Sequence, residues 1–252
     1  MTATLVGVGA GPREGRAWDH GAVAQWELRR GTGVDRLLFF SDAVVAVAIT
    51  ILALPLVDIP GPTTGENVVD VLQANSGSII TFASTFIVMA TMWSVHNRVM
   101  NSLMSYNAVI FWLNMLWLIG FVFLPWPSAM YGGGDDWGAS DVALFSSDGT
   151  GALYWWTMAY ISGLGSLTSW YIGRHPEFIK PDERAYWAGV AKTRARLRGI
   201  AFFVVFLIAG LSTLVLSYLG FYALLLIWPL NWLLQPTRQE RAALRAEEAS
   251  AG

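Results

Sequence analysis

Apolar segments long enough to cross a lipid bilayer follow one another along this chain. About 20 predominantly apolar residues, folded as a helix, span the ~30 Å hydrocarbon core. Such windows fall at 37–57, 77–98, 106–127, 152–172, 199–217 and 220–235. The last two belong to one charge-free run, 199–235, which as a single helix would be about 55 Å long at 1.5 Å per residue. No bilayer is that thick, so the run must turn back near 217–221, and we predict six transmembrane helices.

The charged residues are distributed unevenly around these spans. All 16 lysines and arginines lie in the amino-terminal arm with the start of the first span, the turn after the second span, the connection after the fourth, and the tail. Cytoplasmic loops carry an excess of lysine and arginine, so both termini are expected in the cytoplasm. The sequence therefore predicts an all-α integral protein of the cell membrane. It divides into a largely disordered arm (1–34), a six-helix transmembrane domain (35–236) and a cytoplasmic tail (237–252).

The composition excludes several other classes of protein. Hydrophobic residues make up 54% of the chain and charged residues only 13%, whereas an ordinary soluble domain is about 25% charged. There is no cysteine, so thiol chemistry and disulfides are excluded. The three histidines, His20, His96 and His175, are too scattered to form a ligand set, and no nucleotide loop or nucleophile motif occurs. We expect no enzyme activity, cofactor, metal site, nucleic acid or soluble partner.

One acidic residue lies inside the first apolar window. A charged carboxylate such as that of Asp42 costs at least ~2.5 kcal/mol in the hydrocarbon, even on lenient insertion scales. The segment from Arg36 through Phe40 and Ser41 to Asp42 reads R-x-x-x-F-S-D. This motif and the apolar stretch after it resemble the first helix of the transmembrane protein 175 family, lysosomal potassium channels with prokaryotic relatives. The stretches MWSVHNR, which holds Trp93, and NMLWLIGFVFLPWP extend the resemblance through the second and third spans.

The resemblance implies a potassium-preferring cation channel that is largely constitutive, with six helices per subunit and the first helix lining a central pore. Only one motif occurs in this chain, so four copies, a homotetramer in the lipid bilayer, would be needed to surround a pore. The family lacks the carbonyl filter of ordinary potassium channels, and no TVGYG-like loop occurs here. A hydrophobic constriction on the first helix is expected to act as filter and gate, with potassium as the permeant ion.

The resemblance also implies where the constriction lies, because the family's constriction positions can be carried over by their spacing from the motif aspartate. Carried over in this way, it comprises Val47, Ile51 and Leu54, with Thr50 as a nearby hydroxyl. At 100° per residue, Ile51 lies about 40° and Leu54 about −20° from Val47, whereas Asp42 lies about 140° away. Val47 is smaller than the isoleucine or leucine common at its position, which leaves Ile51 or Leu54 as the tightest point. The alternative is that these are ordinary packing residues of a membrane helix.

Because Asp42 points away from the stripe, it is expected to meet polar residues of neighbouring helices. Intramembrane ionisable groups usually pair in this way. The predicted cluster comprises Arg36, Ser41, Asp42, His96 and Asn97, with Asn114 as a further candidate. Phe40 and Trp93 are predicted to belong to the same motif and its supporting polar network. In this interpretation the aspartate clamps the pore helix in its bundle. His96 has a second interpretation as a pH sensor or proton relay, since the reference pKa of histidine is ~6.5.

A second class of function stays open at this stage. Asp42 and His96 could form the proton site of a proton-coupled secondary transporter. Transporters typically show internal repeats and helices broken near the midplane, and no repeated half is visible in this sequence. A transporter would saturate with its substrate and require a proton gradient, whereas a leak channel would do neither.

Overall fold

The computed structural model describes residues 29–30, 32–133, 149–184, 187 and 190–215, and the single positions 220, 222, 225 and 229. Within these residues the chain is mostly helical. Among them, three helical segments are long and apolar enough to cross a membrane, Gly33–Val57, Ser76–Asn101 and Ala108–Gly132. These segments coincide with the first three predicted spans.

The elements follow one another in short succession. In chain order they are β1 (Arg29–Arg30), α1 (Thr32–Ile51), α2 (Leu54–Val57), α3 (Val68–Ala74), α4 (Ser76–Asn101), β2 (Ser105–Tyr106), α5 (Ala108–Phe123), α6 (Pro125–Gly132), α7 (Thr150–Ile172) and α8 (Val190–Thr213). Two 3₁₀ turns, Pro176–Phe178 and Pro181–Glu183, lie between α7 and α8.

The second half of the chain is helical at the predicted windows where it is described, but no described helix there is both long and apolar enough to be counted as a membrane span. α7 covers the fourth window, and α8 begins at Val190 rather than at 199. Its early start follows from the helix propensity of Lys and Arg, which extend the helix although they end the apolar window. The sixth window falls largely outside the described residues, as do residues 1–28 of the arm and the whole tail.

The first span is a broken helix, not the uninterrupted one used to place Leu54. Pro55 has no N–H to donate to the Ile51 carbonyl, and its ring crowds that carbonyl, so α1 ends at Ile51. The backbone tightens there: Ala53 N donates to Thr50 O at 3.1 Å, and Leu56 N donates to Ala53 O at 3.1 Å. The chain then continues as the short helix α2. Leu54 therefore lies beyond the break, in a different helical segment from Val47 and Ile51.

Large aromatic side chains form the main core. Trp117 of α5, Trp155 of α7 and Phe206 of α8 are almost fully buried, and they share one cluster with Val45 and Ala48 of α1. The most extensive helix packing is between α7 and α8 and between α5 and α7. α1 packs against α4 and α5 with one face only. The first helix therefore lies at the edge of a scaffold that the later helices form.

A two-stranded sheet and the connections bonded to it, here called the clasp, lie at the beginning of α1. β1 pairs antiparallel with β2, with Arg29 opposite Tyr106. The connection after α4 is bonded in turn to the connection after α7, since Met104 N donates to Phe178 O at 2.8 Å and Lys180 N donates to Ser102 O at 2.9 Å. A second apolar cluster, separate from the main core, packs among these connections and the start of α1. It comprises Val34, Leu37, Leu38, Met100, Leu103, Tyr106, Ile110, Ile172, Phe178, Ile179 and Trp187.

Candidate functional site: an exposed helix face and the polar cluster behind it

The two faces of α1 have opposite environments. Ser41, Val45 and Ala48 are buried against the scaffold. The predicted constriction residues lie on the other side, where Val47 is 58% exposed and Ile51 40% exposed. The helical period of 3.6 residues separates these two sets cleanly. Among the described residues of one copy, no packing partner therefore covers the apolar stripe.

The stripe continues past the break in the helix. Leu54, at the start of α2, is 56% exposed, so the change in helical geometry does not turn it into the core. Thr50 is also exposed, and its hydroxyl donates to the Ala46 carbonyl at 2.8 Å. Since a hydroxyl also has two acceptor lone pairs, Thr50 can still accept hydrogen bonds on the exposed side.

Asp42 is half-buried and accepts two hydrogen bonds from α4. Trp93 Nε1 donates to its Oδ1 at 2.9 Å, and Asn97 Nδ2 donates to the same oxygen at 3.1 Å. Trp93 and Asn97 are one helical turn apart, so both project toward α1 from the same face of α4. Asn97 is in turn the acceptor for Asn101 Nδ2. Neutral donors, rather than a cation, thus compensate the carboxylate in this part of the bundle.

Ser41 begins a second, fully buried chain of hydrogen bonds. Its hydroxyl donates to the Leu37 carbonyl at 2.8 Å and accepts from Asn114 Nδ2 at 2.9 Å. The Asn114 Oδ1 is then an acceptor, so His96 Nε2, at 2.8 Å, carries a proton and donates to it. The His96 ring also stacks on Trp117, with centroids 3.7 Å apart and the planes 10° apart. This chain joins α1, α4 and α5 in one network.

The structure brings together most, though not all, of the predicted cluster. Ser41 and Asp42 are adjacent on α1 and serve two branches, one to Asn114 and His96 and one to Asn97. Arg36 lies outside it: it is exposed and makes no ion pair or side-chain hydrogen bond with any described residue. The prediction that Arg36 belongs to the cluster is therefore corrected for the described residues of one copy. Arg36 lies instead on the outward face of α1.

Trp93 and His96 were both predicted in the polar network, but one contact of each was not specified from the sequence. The hydrogen bond from Trp93 to Asp42 could have been inferred, because Trp93 precedes Asn97 by one helical turn. The stacking of His96 on Trp117 has no comparable local signal, since it depends on how α4 and α5 pack. Phe40, the aromatic residue of the motif, is 51% exposed and lies outside both branches. Among the described residues no group of histidine and acidic side chains could hold a metal ion.

The fold and the cluster define an α-helical membrane protein whose first helix is tied to its neighbours by an intramembrane carboxylate and exposes an apolar stripe. Comparison with known proteins makes this class more specific. The family model described as "Endosomal/lysosomal potassium channel TMEM175" matches residues 36–125. That segment begins at the motif arginine and ends at Pro125, so it contains both branches of the cluster.

Two relatives agree with this match. A potassium channel of Streptomyces collinus is 32% identical over 95 residues, which cover 38% of this chain and 46% of that relative, so the match spans less than half of its length. The crystal structure of a lysosomal potassium-selective channel TMEM175 homolog from Chamaesiphon minutus covers 82% of this chain and 100% of its own, with a TM-score of 0.60 and 20% identity, and shows the shared fold. Together these findings confirm, over residues 36–125, the resemblance to the TMEM175 family that the motif indicated.

Proposed function

We propose that this protein is a potassium-preferring leak channel of the cell membrane, in which four copies place α1 around a central pore. The observation that carries the proposal is the exposed stripe of Val47, Ile51 and Leu54 opposite the buried face of the same span. The family match supports the ion, because the relatives named above are described as potassium channels. Six helices per subunit with both termini in the cytoplasm complete the proposed arrangement.

The exposed face of α1 suits contact with other copies better than contact with lipid. It carries Arg36 and Thr50, which are costly in hydrocarbon, and the small residues Ala43 and Ala46, which let helices approach closely. Arg36, which has no partner among the described residues of its own copy, would meet the neighbouring copy there. A single motif per chain and an uncovered stripe both require more than one copy to enclose a pore.

The proposed constriction consists of apolar rings rather than carbonyl groups. A ring of Ile51 or Leu54 side chains cannot coordinate potassium, so selectivity would arise from the cost of removing water at a narrow apolar neck. That cost is lower for potassium than for the smaller, more strongly hydrated sodium ion. Thr50 hydroxyls beside the neck would replace part of the lost water, and dewetting of the rings would gate the pore.

In this proposal Asp42 is a clamp and not a pore ligand. Its carboxylate is bonded to Trp93 and Asn97 on α4, away from the exposed stripe. The transporter alternative gains no support from the relatives, and Asp42 and His96 are not hydrogen-bonded to each other. Each of the two is held by different neutral groups, which gives no shared proton site.

The test is potassium flux from liposomes that contain the purified protein. We expect potassium flux without a proton gradient and slower flux for sodium. For Ile51→Asn we expect a higher flux with weaker discrimination between the two ions, because asparagine side chains around the constriction would hydrate it. Ile87→Asn is the matched control, since Ile87 is an exposed isoleucine of α4; it should leave flux and selectivity unchanged. Flux that saturates and needs a proton gradient would contradict the proposal, as would an Ile51→Asn variant identical to the parent.

A further inference from the structure

A partly open cavity lies beside His96 in the helix bundle. It is bounded by α4, α5, α7 and α8 and has a volume of about 70 Å³. A cavity of roughly 10–15 Å³ by this measure accommodates one water molecule, and one of about 150 Å³ accommodates benzene. This cavity is therefore suited to a molecule of about three or four non-hydrogen atoms, or to a few waters.

Two buried aromatic side chains present unused hydrogen-bonding atoms at this cavity. His96 and Trp117, 5% and 1% exposed, both line it. Since His96 Nε2 is the donor to Asn114, its Nδ1 keeps a free lone pair, and no described residue bonds it. Trp117 Nε1 likewise has no described partner; it lies 3.6 Å from the point where a Cβ on Gly165 would be. One acceptor and one donor are thus available side by side.

The opposite wall adds hydroxyl groups. Ser162, Ser166 and Ser169 of α7 line the cavity, one helical turn apart or nearly so. The Ser166 hydroxyl donates to the Ser162 carbonyl at 2.7 Å, and that of Ser169 to the Gly165 carbonyl at 2.9 Å. Both retain lone pairs that can accept from a guest. The remaining described lining is mostly apolar and includes Phe202, and among the described lining residues only His96 is acidic or basic.

The chemistry of this lining indicates which class of small molecule the cavity can bind. A charged molecule would lose its hydration without gaining a counter-ion, and a hydrocarbon would leave His96 and Trp117 without partners. We propose that the cavity binds a small neutral alcohol, whose hydroxyl group bonds to His96 or Trp117 and to an α7 serine while its alkyl part packs on Phe202. A primary alcohol of three carbons, 1-propanol, has the required size and is the probe we would use.

The site would act on the first helix through the network already described. His96 is joined to Asn114 and Asn114 to Ser41, so a guest bonded to His96 touches the chain that anchors α1. We expect occupancy to change potassium flux. That effect rests on the proposed function, whereas binding itself does not.

The binding test exploits the lack of cysteine in the natural chain. In Ser162→Cys the only thiol faces the cavity. Iodomethane has two non-hydrogen atoms and is small enough for the cavity, and it should methylate this thiol, with release of iodide, at a rate measured by mass spectrometry. We expect 1-propanol to slow this reaction in a saturable manner. Adding Gly165→Ala should also slow it, because the new Cβ fills part of the cavity at ordinary contact distance from Trp117. Leu167→Cys, on the exposed side of α7, is the control whose rate 1-propanol should not change.

Each result of this labelling experiment either supports or contradicts the proposed binding site. A Ser162→Cys thiol that reacts no faster than one at the buried Ala159 would show that the cavity is closed and would overturn the proposal. A reactive thiol that 1-propanol does not protect would show that only water enters, which overturns it equally. If Ser162→Cys does not purify as a folded protein, Ser166→Cys gives the same measurement. Protection without any effect on flux would confirm the site and refute only its coupling to α1.

Discussion

Asp42 has two hydrogen-bond donors and no cation around it in the described bundle. Asp42→Ala would leave Trp93 Nε1 and Asn97 Nδ2 without an acceptor. An unsatisfied buried polar group costs about 1–3 kcal/mol, which lowers the melting temperature by roughly 2–4 °C per kcal/mol in a chain of this size. We expect a smaller loss for Asp42→Asn, which retains one acceptor oxygen. Thermal unfolding in detergent measures both.

The control for this prediction is Asp35→Asn, on the exposed face of the same helix. It should change the melting temperature much less than Asp42→Ala. Equal effects of the two substitutions would show that the carboxylate contributes through charge alone and not through its bonds to α4.

At the residue scale the sequence was informative where a local pattern carries the contact. The motif and the spacing of the second span predicted one cluster that holds Ser41, Asp42, His96 and Asn97, with Asn114 as a further candidate. The structure divides these residues into two branches. Arg36 was predicted in the cluster because charge pairing was expected. The helical period nevertheless places it on the outward face, where a single sequence does not reveal the partner.

At the scale of helices, the contact between α5 and α7 depends on a glycine. A Cβ on Gly120 would lie 2.7 Å from Ile161 Cγ1 and 2.9 Å from Tyr160 Cδ1, closer than atoms pack. We therefore expect Gly120→Ala to force the helices apart and to destabilise the protein by about 1–3 kcal/mol, as overpacked cores do. Gly61→Ala, where nothing lies within 4 Å of the new Cβ, should have little effect. A stable Gly120→Ala variant would mean that α5 and α7 can shift without cost.

Long helices were predictable from hydropathy, but the shorter elements were not. Windows of about 20 apolar residues identify a span whatever its neighbours are. The break before α2 was readable from Pro55, yet the constriction was placed on one uninterrupted helix. The two-residue strands β1 and β2 have no periodic signal, because two residues cannot display alternation. They form only because the clasp brings three connections together.

At the scale of the whole molecule, the proposed pore needs more than the described part of one copy. In the part of the chain that the structure describes, α1 lies at the edge of the scaffold, no residue covers its stripe, and no pore is enclosed. Copies related by closed symmetry can bury such a surface and surround an axis. The number of copies was inferred from the single motif and the resemblance, since no local pattern in a sequence encodes it.

The central claim, that α1 lines the potassium pathway, can be tested by silver block of Ile51→Cys in planar bilayers. Silver ions resemble potassium in charge and size and bind thiolates, and the natural chain contains no cysteine. We predict that silver abolishes the potassium current of Ile51→Cys and leaves that of Ile87→Cys, on the exposed face of α4, unchanged. Potassium currents of Ile51→Cys that persist in silver, or that are blocked no more than those of Ile87→Cys, would contradict the account.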